Sequence, residues 1–234
     1  MPKLGIIGAM TVEVETLKEA MADKSIYEKA GMEFCQGTLE GLPVVVVQCG
    51  VGKVNAAMCA QILCDCFEVT HIVNTGIAGS LLAELDIGDL VVSRDAIHHD
   101  FDLRFWDRPI GQVPGFDVTA FPADAQMTAL AFAAAEEVNP GHTRIGRVAS
   151  GDQFICSKAQ KETIIANTQG ICAEMEGASI AQTAYRNGIP FVILRAISDK
   201  ADDSAEMDYP TFEALAAQRC AKVTSLLAKA LGER

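Results

Sequence analysis

Short apolar runs alternate with amphipathic segments along most of the chain. KLGIIGA (3–9) reads as a buried strand ending in Gly-Ala, and TVEVETLKEAMAD (11–23) continues at helical spacing, with Val14, Leu17 and Met21 on one face. EFCQGTL (33–39) and PVVVVQC (43–49), joined around Glu40-Gly41, form a predicted hairpin. GVGKVNAAMCAQILCDCF (50–67) opens with glycines and becomes a helix. HIVNTGIAGS (71–80) is a strand running into a glycine-containing loop, and IGDLVVSRDAIHHD (87–100) is another strand. Residues 101–121, FDLRFWDRPIGQVPGFDVTAF, have no clean period and predict a long structured loop of the kind that often carries function. A helix follows at 123–138, then strand and turn in TRIGRVASGDQFI (143–155) and a helix in SKAQKETIIAN (157–167). GICAEM (170–175) is a strand that passes into the helix EGASIAQTAYRNG (176–188). PFVILRAISDKA (190–201) is a strand ending in polar residues, and the last helix spans 209–231.

This alternation, with strands apolar on both faces, predicts an α/β fold. The expectation is a single domain over 1–234, with a central mixed, largely parallel sheet flanked by helices. The 234 residues suffice for one sizeable core. With 19 basic against 31 acidic residues, the net charge of −12 argues against nucleic acid or an anionic membrane as partner, without excluding an anionic small molecule. The eight cysteines sit mostly in apolar runs with no CxxC, as expected of free thiols packed in a reducing compartment. MPKLGIIGAM lacks a signal-peptide layout and no long apolar span occurs, so a cytoplasmic location is expected.

Ligands of α/β folds sit outside the carboxyl ends of strands. Those ends offer Ala9, Met10 and Glu13; Gly50, Val51 and Gly52; Thr75 to Gly79; Gly151 to Phe154; Glu174, Met175 and Glu176; and Arg195, Ser198 and Asp199. Small residues, carboxylates, one arginine and an aromatic suit a small polar ligand with a flat part. GVGKVNAA lacks the Lys-Ser/Thr ending of a phosphate loop, and GIIGAM lacks the three-glycine dinucleotide fingerprint. The only histidine cluster, HHDFD (98–102), has adjacent residues that point to opposite faces of a strand. No zinc spacing and no GxSxG elbow occurs, so no metal and no cofactor is expected. Carboxylates remain as the chemically capable groups: Glu13 and Glu176 at helix starts, Asp199 after a strand. Each position also suits a helix cap.

Eight segments, in order, resemble the bacterial 5′-methylthioadenosine/S-adenosylhomocysteine nucleosidases of the purine nucleoside phosphorylase superfamily. They are GIIGAMTVEVETL (5–17), GVGKVNAA (50–57), VNTGIAGSL (73–81), GDLVVS (88–93), GQVPG (111–115), SGDQFI (150–155), AEMEGASIA (173–181) and FVILRAISDKAD (191–202). The resemblance implies hydrolysis of the N-glycosidic bond of an adenine thionucleoside. It makes Asp199 the acid at N7 of adenine, supported by Ser198, and Glu13 the base for water, with Arg195 holding that water and the acidic network. Glu176 accepts from the ribose hydroxyls and Met175 lies against the sugar. Phe154 stacks on adenine and the Ile155 backbone reads its edge. Met10, Val51, Ile77, Ala78 and Gly79 line the pocket, and Glu174 either supports the site or contacts the water network. It also implies a homodimer in which residues of the 101–121 loop complete the partner's pocket.

Two departures bear on the chemistry. Glu13 stands where phosphorylases favour glycines and an arginine, and a carboxylate there repels phosphate and suits water. Ile77 and Ser80 replace the serine and second glycine of the TGSAGG pattern. Trp106 and Arg108 fall near the expected 5′ region, where Arg108 would favour a carboxylate-bearing substituent. Tyr209 and Phe212 keep the lid aromatic, while Asp202 and Asp203 are polar there. Methylthio, homocysteinyl, 5′-deoxy and aminofutalosine substrates all stay open, as do a phosphorylase and a non-catalytic nucleoside-binding module.

Overall fold

Five buried positions in a row, Leu4–Gly8, form β1, which lies in parallel between β4 (Leu42–Gln48) and β5 (His71–Ser80). A strand covered on both faces needs no alternation, which is why these runs carry Val, Ile and Leu almost continuously. The coordinates are a computed structural model describing residues 2–202 and 204–233; Asp203 lies outside the described residues.

Beyond β4 the open end of the sheet is made by β3 (Met32–Leu39) and β2 (Ala22–Lys29), both antiparallel. At the other end, β10 (Phe191–Asp199) pairs with β5 on one side and β6 (Leu90–His98) on the other. From β6 the order continues through β8 (Thr143–Ser150) to β9 (Cys172–Glu174), and β9 returns to β5. Five strands therefore close into a ring from which β1, β4, β3 and β2 extend. The two-residue β7 (Phe121–Pro122) pairs with β6.

The sheet is mixed, and less parallel than expected. β6, β8 and β9 run against β5 and β10, so the two blocks meet antiparallel at both seams. At the β5–β9 seam only Gly79↔Ala173 and Ser80↔Cys172 overlap. Such a short antiparallel overlap brings the carboxyl ends of both blocks to one place, and the cavity described below opens there.

Helices cover both sides. On one, α1 (Thr11–Ala20), α3 (Ala125–Val138) and α6 (Ala205–Gly232) bury Val14, Leu17, Met127, Ala131, Ala217 and Leu227 against the strands. On the other, α2 (Lys53–Phe67) and α5 (Gly177–Asn187) contribute Ala56, Leu63, Ala178 and Ala181. α4 (Lys158–Thr168), capped by Ser157, packs Ile164 into a smaller third cluster.

The structure departs from the sequence expectation at several elements. α1 ends at Ala20, and the polar segment that follows is β2, exposed at all eight positions and therefore without apolar periodicity. β5 keeps strand pairing through Ser80 instead of turning into a loop, because β10 and β9 pair with its glycine-containing end. α6 starts at Ala205, ahead of its expected 209. The 101–121 loop contains one 3₁₀ turn, Arg104–Trp106. All eight cysteines are free, but Cys66 is exposed beside Lys29 rather than packed in the core. Among the described residues no helix is long and apolar enough to cross a membrane, and no group of side chains could hold a metal ion.

Candidate active site

A cavity of about 540 Å³ opens where the strand ends converge, a size usual for small organic ligands. The β1–α1 turn supplies Ala9, Met10 and Glu13, the loop after β4 supplies Val51, and β5 supplies Ile77, Ala78 and Gly79. The loop after β8 adds Gln153, Phe154 and Ile155, and the β9–α5 turn adds Ala173, Glu174, Met175 and Glu176. Ser198, Asp199 and Ala201 close the β10 end, and α6 lays Tyr209 and Pro210 across. Phe154 and Tyr209 meet edge to face at 5.6 Å and form one aromatic wall. No lysine or arginine of the described residues lines the cavity.

Behind the cavity lies Arg195, 2% exposed. Its Nη2 donates to Glu174 in a buried ion pair and to Asn74 Oδ1 at 2.5 Å, and it stands 3.8 Å from Glu176 Oε2. Asn74 is itself anchored by donating to the Ile7 carbonyl at 3.0 Å. Glu174 also accepts from the Ser150 hydroxyl and from the amides of Glu176 and Gly177 at the start of α5. Burial alone would drive its pKa up, but the Arg195 charge and these hydrogen bonds hold it below the usual carboxylate range.

With that positive charge taken by Glu174, the other two glutamates are under-compensated. Among the described residues Glu176 accepts only the Gly52 amide, at 2.8 Å, and burial plus the Glu174 charge push its pKa up to about 7. Glu13 is the third residue of α1. Its Oε2 accepts from the Ala9 and Met10 amides at 2.6 and 3.0 Å, and its Oε1 from the Ile77 amide at 3.1 Å. Burial still raises its pKa despite Arg195 and the three amides. Gly76 makes this possible: a Cβ there would run into the Glu13 carboxylate and the Arg195 guanidinium.

At the β10 end of the cavity, Asp199 is 3% exposed. It accepts from Ser198 Oγ at 2.8 Å and from the Ala201 amide at 2.8 Å, and burial nevertheless pushes its pKa up. One wall therefore offers a carboxyl inclined to keep a proton beside an aromatic surface. The β1–α1 and β9–α5 turns offer Glu13 and Glu176 around the arginine they share with Glu174. That pairing can donate a proton to a leaving base and stabilise positive charge on a sugar.

The residues expected at the site are brought together with two exceptions. Trp106 (64% exposed) and the exposed Arg108 stand on the 101–121 loop, away from this chain's own cavity. Sequence reasoning missed Ser150 and Asn74 as the supports of Glu174 and Arg195. A hydroxyl at the end of a buried strand was the only available signal for Ser150.

The chain matches the phosphorylase superfamily over residues 3–230. It is 40% identical to a 5′-methylthioadenosine/S-adenosylhomocysteine nucleosidase of Oceanobacillus iheyensis, over 94% of this chain and 96% of that one. The chain belongs to this nucleosidase family. The solved Neisseria meningitidis nucleosidase in complex with methylthio-immucillin-A superposes with a TM-score of 0.94 at 34% identity, covering 98% of this chain and 100% of that one. A futalosine hydrolase of Helicobacter pylori superposes with a TM-score of 0.92 at 32% identity, covering 100% and 98%. The nucleosidase fold is thus shared along nearly the whole chain, including every strand end that lines the cavity.

Proposed function

We propose that the chain hydrolyses the N-glycosidic bond of 5′-methylthioadenosine and S-adenosylhomocysteine, giving adenine and the 5′-substituted ribose. The observation that carries the choice of water over phosphate is the charge pattern. Among the described residues the only arginine at the site is already paired with Glu174, no lysine lines the cavity, and Glu13, Glu174 and Glu176 all face it. A phosphate dianion there would meet three carboxylates and no free cation.

In this reading adenine lies against Phe154, with its edge toward the Ile155 backbone and N7 toward Asp199. As the bond breaks, the protonated Asp199, held by Ser198, neutralises the leaving base. Glu13 takes a proton from the attacking water while Arg195 keeps the carboxylates in place. Glu176 accepts from the ribose hydroxyls and stabilises the cationic sugar, which packs on Met175. Met10, Val51, Ile77, Ala78, Gly79 and Tyr209 shape the remaining walls. The reaction needs no cofactor or metal. The set of free cysteines suits a reducing cytoplasm.

The protein acts as a homodimer in this reading. Phe105 is 94% exposed and Trp106 64%, neighbouring apolar side chains on the 101–121 loop of the kind a second copy would cover. The 101–121 loop would then carry Trp106 and Arg108 toward the partner's 5′ pocket. Adenine release measured with and without inorganic phosphate tests the chemistry: equal rates and an unphosphorylated sugar are expected, and a phosphate requirement refutes it. The likeness to the futalosine hydrolase supports a second substrate class, so methylthioadenosine, S-adenosylhomocysteine and aminofutalosine belong in one comparison of kcat/KM.

A further inference from the structure

The motif HHDFD finds no place in the chemistry above, yet the structure builds a polar strap from its first three residues. Asp100 Oδ1 takes the Lys53 ammonium at 2.5 Å, with both side chains mostly out of solvent, and Asp100 Oδ2 accepts the Asp152 amide at 3.0 Å. Asp152 Oδ1 in turn accepts the Lys53 amide at 2.8 Å, capping the first turn of α2. Three segments distant in sequence are thereby tied at one point. His98 adds a fourth through the 2.9 Å contact of its Nε2 with Gln182 on α5. Gly151 seats the β8 loop against the same strap, since a Cβ there would strike the His99 ring.

The strap ends at the ribose carboxylate. Gly52 immediately precedes Lys53, and its amide is the donor to Glu176 Oε1 at 2.8 Å. Gly52 has φ +99°, and a Cβ on it would lie 3.1 Å from Asp152 Oδ1. Its position is therefore set on one side by Asp152 and on the other by Glu176. The Gly52 carbonyl also accepts the Ala56 amide at 3.1 Å, so the ion pair acts on this peptide by fixing the whole first turn of α2 against Asp100 and Asp152.

We infer that Asp100 is a positioning residue for the reaction, acting through Lys53, Asp152 and the Gly52 amide to hold Glu176 in register with the ribose hydroxyls. This rests on the proposed role of Glu176, so the test must separate the two. The readout is the ratio of kcat/KM for 5′-methylthioadenosine to that for its 2′-deoxy counterpart, measured on wild type, D100N, E176Q and the double variant. Unfolding temperatures establish that each variant is folded. E176Q is expected to collapse the ratio, and D100N to lower it about tenfold, in line with the sensitivity of catalysis to displacements near 1 Å. D100N should add almost nothing in the E176Q background, the non-additivity expected of residues acting in one chain. Lys53→Met should mimic D100N and Lys53→Arg should retain most of the ratio, which keeps the test available if D100N does not fold. An unchanged ratio in folded D100N or K53M, or full additivity in the double variant, overturns the inference. An unchanged ratio in E176Q instead overturns the assigned role of Glu176.

Discussion

Replacing Glu176 with Gln should make the unliganded protein more stable while impairing its function, and the effect should depend on pH. Glu176 is 6% exposed, and its pKa rises from an ordinary 4.5 to about 7. Burial and the neighbouring Glu174 are the main causes. The folded chain therefore binds this proton more tightly than the unfolded chain does. Between these two values the native state holds more protons, so wild-type stability falls as pH rises through the window. From 4.5 to about 7 the accumulated cost is about 3 kcal/mol, complete by about pH 8. Gln carries no charge, and its carbonyl still accepts the Gly52 amide. The difference between E176Q and wild type should thus be near zero at the acid end of the window and grow to about 3 kcal/mol above it. For a chain of this length that is about 6–12 °C in Tm. Unfolding of both proteins from pH 5 to 9 measures it, with adenine release in parallel. Loss of the charged acceptor should lower kcat/KM by about 10- to 100-fold. A stability difference that is constant across pH, or a destabilised variant at pH 8, refutes the reasoning.

Asp199→Asn should cut adenine release by about 10²- to 10⁴-fold and abolish the alkaline limb of the pH profile, because the acid must be protonated to act. That limb should lie above 3.8, since burial raises the pKa of Asp199. Glu13→Gln should remove the acid limb, which lies above 4.5 because the base must lose a proton that burial helps it keep. Gly76→Ala should displace Glu13 and Arg195, costing about 1–3 kcal/mol of stability with a larger loss of rate; unfolding and turnover measured together separate the two effects. A Phe105→Ser, Trp106→Ser variant should shift the protein toward monomer in sedimentation and raise KM.

Order and type of most elements follow from the residues alone. The short β-branched run Val44 to Val47, bounded by turn residues, fits a strand buried on both faces, and the spacing of Val14 and Leu17 fits one buried side of a helix, as the fold has them. The strand ends also offer Glu13, Glu176, Arg195 and Asp199, but each carboxylate there equally suits a helix cap, and their expected roles come from the family resemblance. β2 was illegible for the converse reason: exposed on both faces, it is held by backbone pairing to β3, which leaves no side-chain pattern. The closing of the ring was equally hidden, since β5 and β9 share only a two-residue overlap far apart in sequence. That closure decides what the residue list could not, namely which carboxylate receives the arginine. Glu174 and Glu176 are two positions apart and chemically alike. Both line the cavity, and only tertiary placement pairs Glu174 with Arg195, Ser150 and the α5 amides and leaves Glu176 with one amide and a pKa of about 7. Residue types determined which groups are available to the site. Their protonation depends on distances to charges and on exclusion of water, and those exist only once the chain has folded.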